Sequence, residues 1–261
     1  MKKPIGRILV TNDDGIDAPG LKTARKIAAA LSDDVWVVAP REEHSGASHS
    51  LSLTRPLRLY RRAPKIYAVT GTPTDCVMVA TRSLLRDALP DLVLSGVNFG
   101  QNLAEDVSYS GTVAGAKEGT VMGIPSIALS QAIRLDGTRK PRFAVAEKHA
   151  PNIIKKLVEM GWPRGTLMNI NFPDVDPHDK CDVRITKQGR RDTHLLKLLE
   201  REDPRGVPYF WYDFDRRIQK TVAGSDMDAV YSGMISITPL KMDHTDTAIH
   251  RRLSEAFSTG K

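Results

Sequence analysis

The chain has 261 residues, 41% hydrophobic and 26% charged, a composition that fits a soluble globular protein with a large core and excludes a disordered or fibrous one. No apolar run is long enough to span a bilayer, and the start Met-Lys-Lys-Pro-Ile-Gly-Arg lacks the apolar core of a signal peptide, so no membrane partner and a cytoplasmic location are expected. A net charge of +7 attracts anions without choosing among phosphorylated small molecules, nucleic acid and acidic surfaces.

In chain order, Ile8-Leu9-Val10 reads as a buried strand that ends in Thr11-Asn12-Asp13-Asp14-Gly15. Side chains alternate along a strand, so Asp13 and Asp14 can converge only where the backbone turns, and Gly15 gives that freedom. Pro19 suits the first turn of a helix whose apolar positions Leu21, Ala24, Ile27, Ala28 and Leu31 have helical spacing. Alone, this stretch reads as an ordinary acidic turn before a helix. Val35 to Ala39 is a second buried strand, and a right-handed βαβ unit places the residues after Val10 and Ala39 at one carboxyl edge. The next loop, Arg41 to Ser50, is rich in hydroxyls and imidazoles. Alternation in Leu51-Ser52-Leu53, Leu57 to Tyr60 and Ile66 to Val69 predicts short strands or a hairpin.

Thr72-Pro73-Thr74-Asp75 predicts a capped helix running to Leu85, in which Cys76 is a small core residue. Cys76 and Cys181 show no metal-binding spacing, and no structural disulfide is expected. Asp91 to Gly96 is a third buried strand, followed by Val97-Asn98-Phe99. Ser110-Gly111-Thr112 opens a small-residue helix whose start is either a plain cap or an anion site. A fourth strand is expected at Ile124 to Leu129, a long helix at Phe143 to Met160 with Pro151 inside, and strands near Leu167 to Phe172 and Asp182 to Thr186. From Gln188 to Asp226 the composition turns charged, aromatic and proline-bearing, as in an assembly extension. Val230 to Leu240 then reads as a returning strand and Thr245 to Phe257 as a terminal helix.

Strands ending near Val10, Ala39 and Gly96 thus bring Asp13 and Asp14, Ser45, and Asn98 toward the edge where open α/β sheets bind ligands. Carboxylate, hydroxyl and amide oxygens without cysteine describe a hard-cation site for magnesium, manganese or calcium.

The ordered blocks Val10-Thr11-Asn12-Asp13-Asp14-Gly15, Ser45-Gly46-Ala47-Ser48, Gly71-Thr72-Pro73-Thr74-Asp75-Cys76, Ser95-Gly96-Val97-Asn98 and Tyr109-Ser110-Gly111-Thr112-Val113 resemble the SurE family of survival-protein nucleotidases. Ser236-Ile237-Thr238-Pro239-Leu240 resembles a family signature near the other end. The resemblance implies an α/β, Rossmann-like three-layer fold with a mostly parallel sheet and a carboxy-terminal hairpin and helix extension for oligomerisation. Residues 1–187 would be the metal-dependent phosphatase core, and 188–261 the extension with a strand and helix returning to the core. It also implies a 5′-nucleotidase, a hydrolase of phosphoric monoesters acting on nucleoside 5′- and 3′-monophosphates and on short polyphosphate. One divalent ion per subunit, Mg2+ or Mn2+ with Ca2+ able to bind, would be held by Asp13, Asp14, Ser45 and Asn98. Asp13 and Asp14 would be catalytic, with Asn102, Ser110, Gly111 and Thr112 binding the substrate phosphate. Homodimers or homotetramers formed by exchanging carboxy-terminal segments are implied. His49 and Phe99 depart from the commonest family pattern, Asn and a small residue, in ways that alter the pocket. Two other readings are an aspartyl-phosphate phosphatase with Asp13 as nucleophile, against which stands the adjacency of the acids, and a basic nucleic-acid-binding protein, against which stands the dispersal of Lys and Arg.

Overall fold

The computed structural model describes residues 3–133, 143–177, 180–191, 196–214 and 220–258. The first half builds β1 (Arg7–Thr11), α1 (Pro19–Leu31), β2 (Asp34–Pro40), β3 (Leu59–Ala63), β4 (Ile66–Val69), α2 (Pro73–Val79), β5 (Leu92–Phe99), α3 (Asp106–Tyr109), α4 (Gly111–Val121) and β6 (Ser126–Gln131). The second half adds α5 (Ala144–Met160), β7 (Thr166–Phe172), β8 (Val183–Ile185), β9 (Leu196–Glu202), β10 (Pro208–Phe214), α6 (Asp226–Tyr231), β11 (Ile235–Lys241) and α7 (Thr247–Phe257). The main sheet has the order β3-β4-β2-β1-β5-β6-β7-β11-β8. Its centre is parallel, while β3 runs antiparallel to β4 and β11 to β7.

The three layers come from the alternation of apolar side chains across the strands. Ile8, Val10, Leu92 and Leu94 face α1 and α5, packing with Leu21, Ala24, Ile27, Val145 and Ile154. Leu9, Val38 and Val93 face the other way, onto Cys76, Val77 and Ala80. Ile8, Leu9 and Val10 are each 0% exposed, and burying such a side chain contributes about 1.5–3 kcal/mol. Strands covered on both faces are therefore apolar throughout, which made β1, β2 and β5 readable. The glycines of α4 serve close approach: a Cβ on Gly115 would lie 2.7 Å from Ser95 Oγ on the sheet below.

Some boundaries differ from the sequence pattern. Leu51 to Arg58 forms no strand, and Leu53 is 86% exposed, so its alternation reflects no buried face. The helix after Thr72 has the expected reciprocal cap, with Thr72 N–H donating to Asp75 Oδ2 (2.9 Å) and Asp75 N–H to Thr72 Oγ1 (3.2 Å). Past Val79 it widens into a π-helical turn, Ala80–Leu84. α5 runs through Pro151 as one helix. The segment read as a strand from Val230 starts instead as α6, because Ser225 Oγ accepts the Asp228 N–H and caps a helix there. The strand begins only at Ile235, after Gly233 at φ +77°.

Among the described residues β9 and β10 pair only with each other, and they display Leu198, Phe210, Trp211 and Tyr212 to solvent. β11 lies inside the main sheet, between β7 and β8. No residue of α7 is buried, although Ile249, Leu253 and Phe257 share one face at helical spacing. No helix among the described residues is long and apolar enough to cross a membrane.

Candidate active site

β2, β1 and β5 lie side by side and parallel, so the loops leaving them meet at one edge. Three backbone contacts fix the acidic turn there. Ile16 N–H donates to Pro40 O (2.8 Å), His44 N–H to Asp13 O (2.8 Å), and Phe99 N–H to Asp14 Oδ2 (3.1 Å). Gly15 sits at φ +96°, where a Cβ would also press on the Glu42 carbonyl carbon at 3.3 Å. The turn is thereby tied to the ends of both neighbouring strands.

Asp13 is 3% exposed and accepts a short hydrogen bond at Oδ1 from the Thr112 hydroxyl. Thr112 is the second residue of α4, so the positive end of that helix is directed at the Asp13 carboxylate. Gly111 makes the approach possible: a Cβ there would lie 2.7 Å from the Asp13 Cβ and 2.9 Å from Oδ2. Burial raises the Asp13 pKa to about 6; the Thr112 hydroxyl works against the rise and the charge of Asp14 adds to it. Burial also pushes Asp14 upward, countered by the Phe99 N–H and reinforced by Glu43.

Asn98 lies within the end of β5, where the ladder with β6 slips between Ser95 and Asn98 and the Gly96–Val97 peptide is cis. A slip in the ladder re-aims side chains beside sites. Asn98 Nδ2 donates to Gly100 O (3.0 Å), which leaves the amide oxygen as its accepting end. Ser45 Oγ donates to Glu43 Oε1 (2.8 Å). A cavity of about 390 Å³ is lined by the polar residues Asp14, Glu43 and Ser45 and by Ala18, Pro19, Gly20, Phe99 and Phe143.

The residues expected to bind the phosphate are arranged less openly. Ser110 Oγ accepts the Val113 N–H and caps α4. Asn102 donates one amide hydrogen to Ser130 Oγ (2.8 Å), and its backbone is held by Asn169 and Asn171. Gly111 and Thr112 are brought to Asp13, whereas the Asn102 side chain is buried and bonded to Ser130 of β6.

Several partners in the site escaped the sequence reading. Glu43 lies in a polar loop with no apolar pattern to orient it. His49 does not line the cavity; its Nε2 pairs with Glu118 Oε2 of α4 at 2.9 Å, and Ser48 bonds to Ser108 O and Tyr109 O, clamping the Ser45 loop to the α3–α4 junction. Arg191, nearly buried, bonds to Asp106 (2.6 Å) and Leu103 O (3.0 Å), while Asp226 accepts from Ala104 N–H (2.9 Å) and Gly189 N–H (2.8 Å). Residues 188–191 thus hold the loop leading to α4. Only their spatial partners reveal this.

Among the described residues no group of three His, Cys, Asp or Glu side chains is placed to hold a metal ion. The oxygens at this edge are two carboxylates, a hydroxyl and an amide, and a hard cation suits that donor set. A buried carboxylate held at about 6 beside a second acid also gains from a positive charge.

Residues 8–195 match the sequence model of the family described as Survival protein SurE. The 5′-nucleotidase SurE of Azorhizobium caulinodans is 57% identical over 251 residues, covering 96% of this chain and 98% of the relative. That of Parvibaculum lavamentivorans is 53% identical, covering 97% and 91%. The crystal structure of the SurE protein from Aquifex aeolicus superposes with a TM-score of 0.83 at 37% identity, covering 96% of this chain and 99% of that one. An acidic turn after β1, an α4 start directed at it and this likeness over nearly the whole length agree: the chain belongs to the SurE family.

Proposed function

We propose that this chain hydrolyses nucleoside 5′-monophosphates to nucleoside and phosphate, using a divalent cation, Mg2+ or Mn2+ with Ca2+ able to bind. The observation that carries the reading is the Asp13–Asp14 pair at the carboxyl edge, facing the start of α4, in a chain more than half identical to relatives named 5′-nucleotidase SurE. Asp13, Asp14, Ser45 and Asn98 would hold the ion. A divalent cation bound there supplies Lewis acidity toward a phosphoryl oxygen and toward water.

The protein's own residues do the rest. Asp14, fixed at Oδ2 by the Phe99 N–H, orients a water at its other oxygen and takes up its proton. Asp13 is engaged at Oδ1 by Thr112 and buried, which suits holding charge in place rather than attacking phosphorus. Backbone N–H groups at the start of α4, beside Ser110, Gly111 and Thr112, stabilise charge on the equatorial oxygens. Asn102, whose side chain bonds Ser130 Oγ and whose backbone is held by Asn169 and Asn171, positions the loop leading to α4. A substrate panel tests the reading. Phosphate release from AMP and GMP is expected, with slower release from 3′-AMP and tripolyphosphate; release from none of them contradicts it.

The chain acts as a cytoplasmic homodimer or homotetramer, with residues from 188 onward as the assembly extension. Supporting this, the hairpin exposes Trp211 at 64% and Tyr212 at 72%, and α7 exposes Phe257 at 81%, apolar surface that a lone chain leaves wet. Light scattering after size exclusion is expected to give a mass of two or four chains, and a smaller one for the double variant Trp211→Asp, Tyr212→Asp. A wild-type monomer contradicts the assembly.

A further inference from the structure

We infer that Phe99 and Phe143 seat the nucleobase of the substrate. The inference rests on the nucleotidase reading above and deepens it by locating the base. The cavity beside Asp14, about 390 Å³, falls in the range of small-molecule sites. Among the described residues its polar lining is Asp14, Glu43 and Ser45. Asp14 and Ser45 are also proposed to hold the cation, so the reacting phosphate lies between them and the start of α4, and the apolar lining beside them suits the uncharged end of the nucleotide. The rest of the lining is apolar and includes two phenyl rings.

The Phe99 backbone and the Phe143 ring are both held by the protein's own contacts. The backbone N–H of Phe99 is pinned to Asp14 Oδ2 at 3.1 Å, yet its side chain is 41% exposed. An exposed ring at a fixed station beside the reacting end is a stacking platform. Phe143 packs on the α1–α5 core, with Cε1 3.1 Å from where a Cβ on Gly20 would stand, so the bare glycine leaves room for the ring. Stacking uses the π face that every base shares, and the seat therefore tolerates purines and pyrimidines alike.

The test compares AMP with ribose 5-phosphate, which carries the same phosphate and no base, on the Mn2+-loaded full chain. In Phe99→Ala the ratio of kcat/KM for AMP over ribose 5-phosphate is expected to fall about tenfold, and in Phe99→Trp to hold, since losing one stacked ring costs about that factor. Phe143→Leu is expected to lower the same ratio. An unchanged ratio in both Phe99→Ala and Phe143→Leu overturns the seat. Calorimetric titration with adenosine, which has no phosphate to cleave, separates this result from the nucleotidase reading. About tenfold weaker binding in Phe99→Ala supports the seat even if AMP is not hydrolysed; equal binding, or none to the wild type, overturns it.

Discussion

Asp13→Asn is expected to lower kcat/KM for AMP by at least about 10³-fold while leaving the fold intact. Losing one group that stabilises transition-state charge costs about 10²–10³ in rate, and Asp13 is also proposed to hold the cation. The substitution is isosteric, so the new amide oxygen can still accept the Thr112 hydroxyl, but the amide nitrogen then faces the cation. Stability is expected to move the other way. Burial, opposed by Thr112 and aided by Asp14, raises the folded-state pKa of Asp13 from 3.8 to about 6. The folded state therefore holds the proton more tightly than the unfolded one. Stability from this group is lost as pH rises from about 4 to about 6, and the full penalty, about 3 kcal/mol as an upper figure, applies at neutral pH. Without added metal at pH 7.5, Asp13→Asn is expected to melt at or above the wild-type temperature, and the gap is expected to close near pH 4. An active variant, or one that melts well below the wild type, contradicts this assignment.

Gly20→Ala is expected to cost about 3 kcal/mol or more in urea unfolding and to lower activity about 10²-fold. Its Cβ would overlap the Val97 carbonyl oxygen and lie 3.0 Å from the Val97 carbonyl carbon, with Phe143 Cε1 at 3.1 Å. The obstruction is backbone, so no side-chain rotation relieves it, and overpacking at such a point costs about 1–3 kcal/mol or more. Val97 directly precedes Asn98, and Gly20 lines the cavity, so relief of the overlap displaces a proposed cation ligand and the apolar wall together. A misplacement of about 1 Å at a reacting centre is enough for a loss of that size. A variant with unchanged midpoint and activity contradicts the role given to this contact.

The parts of the site that lie close in sequence were legible before the structure. The apolar runs of β1, β2 and β5 mark doubly covered strands, and parallel pairing puts the loops after them at one edge. The Thr72–Asp75 cap is local chemistry and read correctly as structure. Residues whose role depends on distant partners were hidden. Nothing near Arg191 announces its bonds to Leu103 and Asp106, and nothing near His49 points to Glu118. Phe143 reaches Gly20 only because α5 packs against α1. Periodicity also misled where burial did not match it, as at Leu51 to Leu53, and where a Ser225 cap turned an apolar stretch into helix before β11. The contact between α4 and Asp13 lies between these cases, because the Ser-Gly-Thr start was visible as a cap or anion site while its partner was not.

Phosphate release from nucleoside monophosphates is proposed to require a divalent cation on Asp13, Asp14, Ser45 and Asn98. The decisive measurement is AMP hydrolysis by the full chain before and after exhaustive chelation, followed by addition of Mg2+ or Mn2+, with Asp14→Asn in parallel. Chelation is expected to abolish phosphate release, added metal to restore it in the wild type, and no metal to restore it in Asp14→Asn. Undiminished hydrolysis by the chelated wild type, or full activity of Asp14→Asn, would contradict the proposed cation site.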